Sequence, residues 1–302
     1  MQVVELPHRG VALRYLCRAH NAPSAPPTSS APAVERYDIV YAHGLTENLT
    51  CADKYVDWTA LLDEDESGSD SCVSRLLTYD ARGHGESSTP PDPTSFVWHE
   101  LALDMWALTD TVWPTSTGDQ PGGIVACGAS MGCATALNAA LQQPARVYKL
   151  VLIIPSAAWE LRPPRAKGYI ATADSIVDNG PGFLHEAAKR CRPPDPFGED
   201  EQQTEAFRAD RLQTLEACAA ESLETVFRGA ALCEFPTRDE MTTIIAPTLI
   251  LAWTGDRSHP VEVAHEMSQL MPNATLNVAS TRTEFEAWTS LTRKFLSSES
   301  SL

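Results

Sequence analysis

Five short apolar runs, each stopping at a turn rich in glycine, aspartate or serine, constrain the fold of this 302-residue chain more than any other feature. YDIVYA runs into HGLTEN, SRLLTY into DARGHGES, IVAC into GASMG, YKLVLI into IPS, and TLILAW into TGD. Runs of this length, apolar throughout and bounded by turn formers, read as strands buried on both faces, the habit of parallel sheets. ATLNVA supplies a last strand, and VVEL and VALRYLC around PHRG predict an N-terminal β-hairpin.

Helical stripes separate these runs. Leu101, Met105, Leu108 and Val112 fall on one face, and CATALNAALQQ follows GASMG directly. Pro260 takes the favoured first-turn position of a helix that turns Val263, Met267 and Leu270 inward, and Phe285, Trp288, Leu291 and Phe295 align in a final helix. Strands alternating with helices predict an α/β fold: a mostly parallel central sheet flanked by helices. The Pro- and Ser-rich stretch NAPSAPPTSSAPAVE reads as a mobile loop. Residues 158–239 break the alternation with helical pieces and no strand. They predict a helical cap inserted between strands, over a core of 1–157 and 240–302.

Composition narrows the function. No apolar run is long enough to span a membrane, and MQVVELPHRG lacks a basic start followed by an apolar stretch, so a cytoplasmic location is expected. A net charge of −17 repels polyanions, which argues against nucleic acid and anionic membranes as partners and leaves a small-molecule substrate. Twelve of those charges come from LLDEDESGSD and from Asp195 to Glu224, which read as solvated surface. The eight cysteines never form a C-x-x-C pair and read mostly as small buried hydrophobes, so neither a metal site nor a disulfide framework is expected. No phosphate-binding or dinucleotide-binding glycine motif is present, so no cofactor is expected. No motif specifies an oligomeric state.

Gly128-Ala129-Ser130-Met131-Gly132 is a G-x-S-x-G sequence between a strand and a helix, the setting of a nucleophile elbow. A serine on so sharp a turn needs small neighbours, and Gly128, Ala129, Gly132, Cys133 and Ala134 are small. With YAHGLTEN, TYDARGHGES, PSAAWELR and APTLILAWTGDRSHP, the chain resembles the α/β-hydrolase superfamily along almost its whole length, and is most similar to enol-lactonase-like and esterase-like serine hydrolases. The resemblance implies Ser130 as nucleophile, the backbone N–H groups of Leu45 and Met131 as oxyanion hole, and Asp256 as acid. The physical argument agrees: serine needs a base within reach, the base needs an orienting carboxylate, and adjacent parallel strands end at one edge.

The resemblance also implies a histidine after the last strand, and none is there: Ser280 to Glu284 read STRTE, and no histidine follows His265. His259, three residues after Asp256, is the first candidate for the base, although it could equally serve the start of the Pro260 helix. His84 and His43 lie at strand ends and could line the pocket; His185 could reach it from the cap; His265 and His99 belong to helix flanks, His8 and His20 to the hairpin region. His43, Gly44 and Trp159 are expected in the substrate pocket, with Trp159 and Glu160 alternatively locking the first turn of the cap. The leading expectation is a cofactor-independent hydrolase of a carboxylic ester or lactone acting through an acylated Ser130. The alternatives are a small-molecule binding protein that lost its base, suggested by Arg282 and Glu284 in the histidine window, and a lyase or C–C bond enzyme using the same pocket.

Overall fold

The computed structural model describes residues 1–20, 36–63, 71–114 and 122–298. Most of the acidic LLDEDESGSD run and the Pro-rich stretch lie outside the described residues. Eight strands form one sheet: β1 (Gln2–Leu6), β2 (Val11–Ala19), β3 (Tyr37–Ala42), β4 (Val73–Tyr79), β5 (Ile124–Ala129), β6 (Val147–Ile153), β7 (Thr248–Trp253) and β8 (Ala274–Ala279). Their order is β1-β2-β4-β3-β5-β6-β7-β8. The hairpin β1–β2 and the β2–β4 pair are antiparallel, and every later pair is parallel. All six residues of β5 and of β7 are buried, as strands with helices on both faces must be.

The helices are α1 (Trp58–Leu62), α2 (Trp98–Val112), α3 (Met131–Gln142), α4 (Arg162–Asn179), α5 (Gly182–Ala188), α6 (Glu201–Glu216), α7 (Leu223–Leu232), α8 (Arg238–Thr243), α9 (Val261–Leu270), α10 (Arg282–Glu286) and α11 (Trp288–Ser297). One face of the sheet packs on α2, α3 and α9 through Leu101, Met105, Leu137 and Met267; the other packs on α1 and α11 through Trp58, Leu61 and Trp288. No strand occurs between β6 and β7, where α4 to α8 lie, and α4 and α7 share a small cluster around Tyr169, Ala173 and Phe227. Among the described residues no helix is long and apolar enough to cross a membrane.

Three local details differ from the sequence pattern. Pro260 is the cap residue before α9 and not its first turn, with an extended ψ of 126°. The predicted final helix is two, α10 and α11, joined at Ala287; the apolar stripe continues across the junction, so periodicity does not reveal it. Four of the eight cysteines are buried and all are free, so the small-hydrophobe reading holds for Cys72, Cys127, Cys133 and Cys233 only.

The turn from β5 into α3 shows why its glycines are needed. Ser130 sits at φ 53°, a left-handed conformation costly for a residue with a Cβ. The tight crossing brings the Cα of Gly132 against β3, so that a Cβ there would stand 1.9 Å from the Ala42 carbonyl oxygen, and one on Gly128 would stand 2.1 Å from the Gly132 oxygen. Both obstacles are backbone. Gly132→Ala is therefore expected to lower stability by about 1–3 kcal/mol, the usual cost of overpacking, and calorimetric unfolding of the variant measures it.

Candidate active site

Three strand ends on one edge of the sheet bring the site together. Ser130 follows β5, the turn His43–Gly44–Leu45 follows β3, and the loop carrying Asp256 and His259 follows β7. The backbone anchors the elbow: Ser130 N–H donates to the Ile153 carbonyl of β6 at 2.9 Å, and the Cys133 thiol contacts the same carbonyl at 3.0 Å.

His259 lies between the other two side chains. Its Nε2 is 2.8 Å from Ser130 Oγ, and its Nδ1 is 2.7 Å from Asp256 Oδ2. A carboxylate only accepts, so the Nδ1 proton points to Asp256 and the Nε2 lone pair faces the serine hydroxyl. Asp256 takes two further bonds, from the Trp253 indole Nε1 at 3.1 Å and from the Ser258 amide at 2.7 Å. Burial opposes ionisation of Asp256, but the electrostatic interaction with the His259 ring and these hydrogen bonds outweigh it and hold the carboxyl well below the usual carboxylate range. A carboxylate and an imidazole thus come from one four-residue stretch, and the His259 ring bonds Asp256 and Ser130.

The position after β8 is used differently. Thr281 and Glu284 form the capping box of α10, with Glu284 accepting from the amides of Ser280 and Thr281 at 2.7 and 3.0 Å. Arg282 stands over the rings of Phe197 and Phe285. These residues, the motive for a base-less binding protein, cap a helix and cover aromatic rings.

Leu45 and Met131 flank Ser130 around a small cavity. Among the described residues, no acceptor takes the N–H of either. Two unpaired amides beside a serine hydroxyl can receive an anionic oxygen. Gly44 is close too: a Cβ there would be 3.5 Å from the Ser130 Cβ, and its own amide donates to Glu47 Oε2 at 2.8 Å. Gly44 therefore abuts the serine but is not in the lining of the cavity.

Two expected pocket residues are placed elsewhere. His43 is 1% exposed and both its ring nitrogens are bonded to backbone: Nδ1 to the Gly44 carbonyl at 2.8 Å, Nε2 accepting from the Ala81 amide at 3.0 Å. It ties the turn after β3 to the loop after β4, and neither cavity near Ser130 has it in its walls. Trp159, at φ 48°, donates its indole N–H to the Pro236 carbonyl at 3.0 Å and packs on Phe235 beneath Arg238, whose guanidinium pairs with Glu160. That is the locking role, in a recess separate from Ser130. His84 is buried near the site without bonding Ser130, while His265 and His99 are exposed.

Several supports were not legible in the sequence. Glu47, 4% exposed, holds the Gly44 amide, accepts from Tyr55 Oη at 2.7 Å and stands 4.0 Å from Lys54 Nζ, fixing the turn that carries the Leu45 amide. Asp195, one of the acids expected to be solvated, has a side chain 42% exposed and also accepts from Thr254 Oγ1 at 2.7 Å and donates its own amide to the Thr254 carbonyl at 3.0 Å, clamping the loop before Asp256. Asp210 likewise pairs with Lys54 across to the core. A cleft of about 810 Å³ with Tyr55, Phe197, Phe207, Trp253 and Phe285 in its walls contains neither Ser130 nor His259. Ser130 lines a much smaller cavity.

The comparisons agree with this architecture. The model of the alpha/beta hydrolase family matches residues 39–286. A Caulobacter protein provisionally named the carbamate hydrolase RutD is 28% identical over 236 residues, covering 74% of this chain and 81% of its own. The 3-oxoadipate enol-lactonase 1 of Acinetobacter baylyi is 27% identical over 183 residues, 60% of this chain and 61% of its own. The crystal structure of the enol-lactonase from Burkholderia xenovorans superposes with a TM-score of 0.70 at 21% identity, covering 96% of this chain and 98% of that one. With the match spanning most of its length and the same sheet beneath it, the chain belongs to the alpha/beta hydrolase family.

Proposed function

We propose that the protein is a cofactor-independent serine hydrolase of carboxylic esters or lactones, with Ser130, His259 and Asp256 as its triad. The observation that carries this reading is the unbroken relay from Asp256 Oδ2 through His259 to Ser130 Oγ, at 2.7 and 2.8 Å. The names of the lactonase and carbamate hydrolase relatives also fit attack on an acyl carbon.

The steps follow from the groups present. Ser130 Oγ attacks the carbonyl carbon as its proton passes to His259 Nε2, and the resulting oxyanion sits between the amides of Leu45 and Met131, each worth about 3 kcal/mol to such a transition state. Asp256 stabilises the imidazolium and keeps its orientation. The imidazolium protonates the departing alkoxide, leaving the acyl group on Ser130. A water then gives its proton to the same nitrogen, adds to the acyl carbon and releases the acid, with Ser130 recovering its proton.

Hydrolysis of 4-nitrophenyl acetate tests the reading. Multiple turnovers are expected from the native chain, and about 10⁶-fold lower turnover from Ser130→Ala, the cost of losing the nucleophile in a serine protease. Equal rates for the two would remove Ser130 from the chemistry.

A further inference from the structure

Beyond Ser130 lie two adjoining cavities of about 10 Å³ each, which share Leu45, Trp98, Met131 and Ala230 in their walls. Each has room for about one water-sized group. Phe96, Leu101 and Val226 line the far one. Of an ester's two halves, the leaving alcohol must escape while the acyl group is still bound to serine, so a narrow recess of this kind beside the serine suits the acyl half.

Two polar atoms in these walls have no partner. Ser156, 3% exposed, lines the near cavity with an unbonded Oγ, and His84, 5% exposed, lines the far one with an unbonded Nε2. An unpaired buried polar atom is costly and calls for an occupant. The chemistry of that occupant can be read from His84. Its Nδ1 lies 3.0 Å from the Arg82 carbonyl, which only accepts, so Nδ1 carries the proton and Nε2 presents a lone pair. Burial, and to a lesser extent the neighbouring His43 ring, push the pKa of His84 down to about 3, so the imidazole stays neutral in ordinary buffers. Among the described residues no lysine or arginine lines either cavity, and no aspartate or glutamate does. An anionic acyl group would meet a lone pair and no countercharge; a cationic one would lose its hydration to Trp98, Phe96 and Leu101.

We infer that this cavity is an acyl pocket selecting a short, uncharged acyl group that carries a hydroxyl or N–H donor, received by His84 Nε2, with the Ser156 hydroxyl as a further polar contact at the near end. The inference rests on the Ser130 hydrolase reading and specifies its substrate: 2-hydroxyacyl esters are the simplest compounds of the class. A methyl of the same size placed against His84 would exclude water and leave the acceptor unpaired, and sites built around such a hydrogen bond discriminate strongly against analogues that lack it.

Methyl glycolate and methyl propionate form the test pair, since they differ by a hydroxyl in place of a methyl. The native chain is expected to show kcat/KM about tenfold or more in favour of glycolate, and His84→Leu is expected to bring that ratio towards one. Both ratios are read relative to that of the same two esters in alkaline hydrolysis, because the electron-withdrawing hydroxyl by itself activates the glycolate carbonyl. If Ser130 reacts with a fluorophosphonate and the two esters are hydrolysed equally, the acyl-pocket assignment is overturned while the hydrolase reading stands. If Ser130 does not react at all, the hydrolase reading itself has failed.

Discussion

His259→Ala is expected to lower kcat on 4-nitrophenyl acetate by about 10⁶-fold, the cost found when the base is removed from a serine protease triad. The geometry leaves no second imidazole to take over. Among the described residues only His259 bonds Ser130 Oγ. His43 is held by the Gly44 carbonyl and the Ala81 amide, and His84 is held by the Arg82 carbonyl. Water has no oriented partner to replace the lost ring, so the residual rate would come from the oxyanion amides and substrate binding. His259 is 17% exposed and lies on a loop, so its truncation leaves the buried core untouched, and an unchanged circular dichroism spectrum separates lost chemistry from lost folding. A variant within tenfold of the native rate would mean that some other group accepts the Ser130 proton.

Asp256→Asn is expected to cost about 10⁴-fold in kcat with the fold intact, as it does when the same change sets the wrong histidine tautomer in a protease. Each carboxylate oxygen here accepts from a donor fixed by the fold: Oδ1 from the Ser258 amide, Oδ2 from the Trp253 indole as well as from His259 Nδ1. An amide has only one acceptor oxygen. If its NH2 faces the imidazole, it demands a lone pair on Nδ1, which moves the ring proton to Nε2 and removes the acceptor that Ser130 needs. If its NH2 turns away, it meets the Ser258 N–H donor to donor, and the ring still loses its ionic partner. The folded state keeps Asp256 charged far into acid, so its contribution to stability is present above the ordinary carboxylate range and is lost as pH falls through its depressed value. The Asn variant should lose that acid-dependent stability along with its activity, which calorimetry across the acid range measures.

How much of this was legible beforehand depended on whether the signal was local. β3 to β7 are short, apolar and bounded by turn formers, so their burial was visible residue by residue, and Ser130 announced itself through the glycines that Ala42 and Gly132 backbone atoms demand. Asp256 and His259 share one loop, which is why a spacing of three residues was enough to nominate the pair. No histidine follows β8, where Thr281 and Glu284 cap α10. What could not be read were contacts between distant segments. Glu47 meeting Tyr55 and Gly44, Asp195 clamping Thr254 across 59 residues, and Tyr169 of α4 reaching the Ser130 cavity leave no periodic trace. His43 was misplaced, and of the two readings of Trp159 the locking one held over the pocket one, for a related reason. Position at a strand end indicates nearness to the site, but the backbone carbonyl or amide that claims a ring nitrogen decides which way the ring faces.

The central claim is that a base from the acid's own loop activates Ser130. Labelling by a fluorophosphonate, followed by peptide mapping, tests it most directly, because the probe reports the nucleophile's reactivity whatever the natural substrate. The account predicts a single adduct on Ser130 in the native chain and labelling slowed by at least about a thousandfold in His259→Ala, in line with the loss of general-base assistance. A Ser130 adduct forming in His259→Ala at the native rate would contradict it.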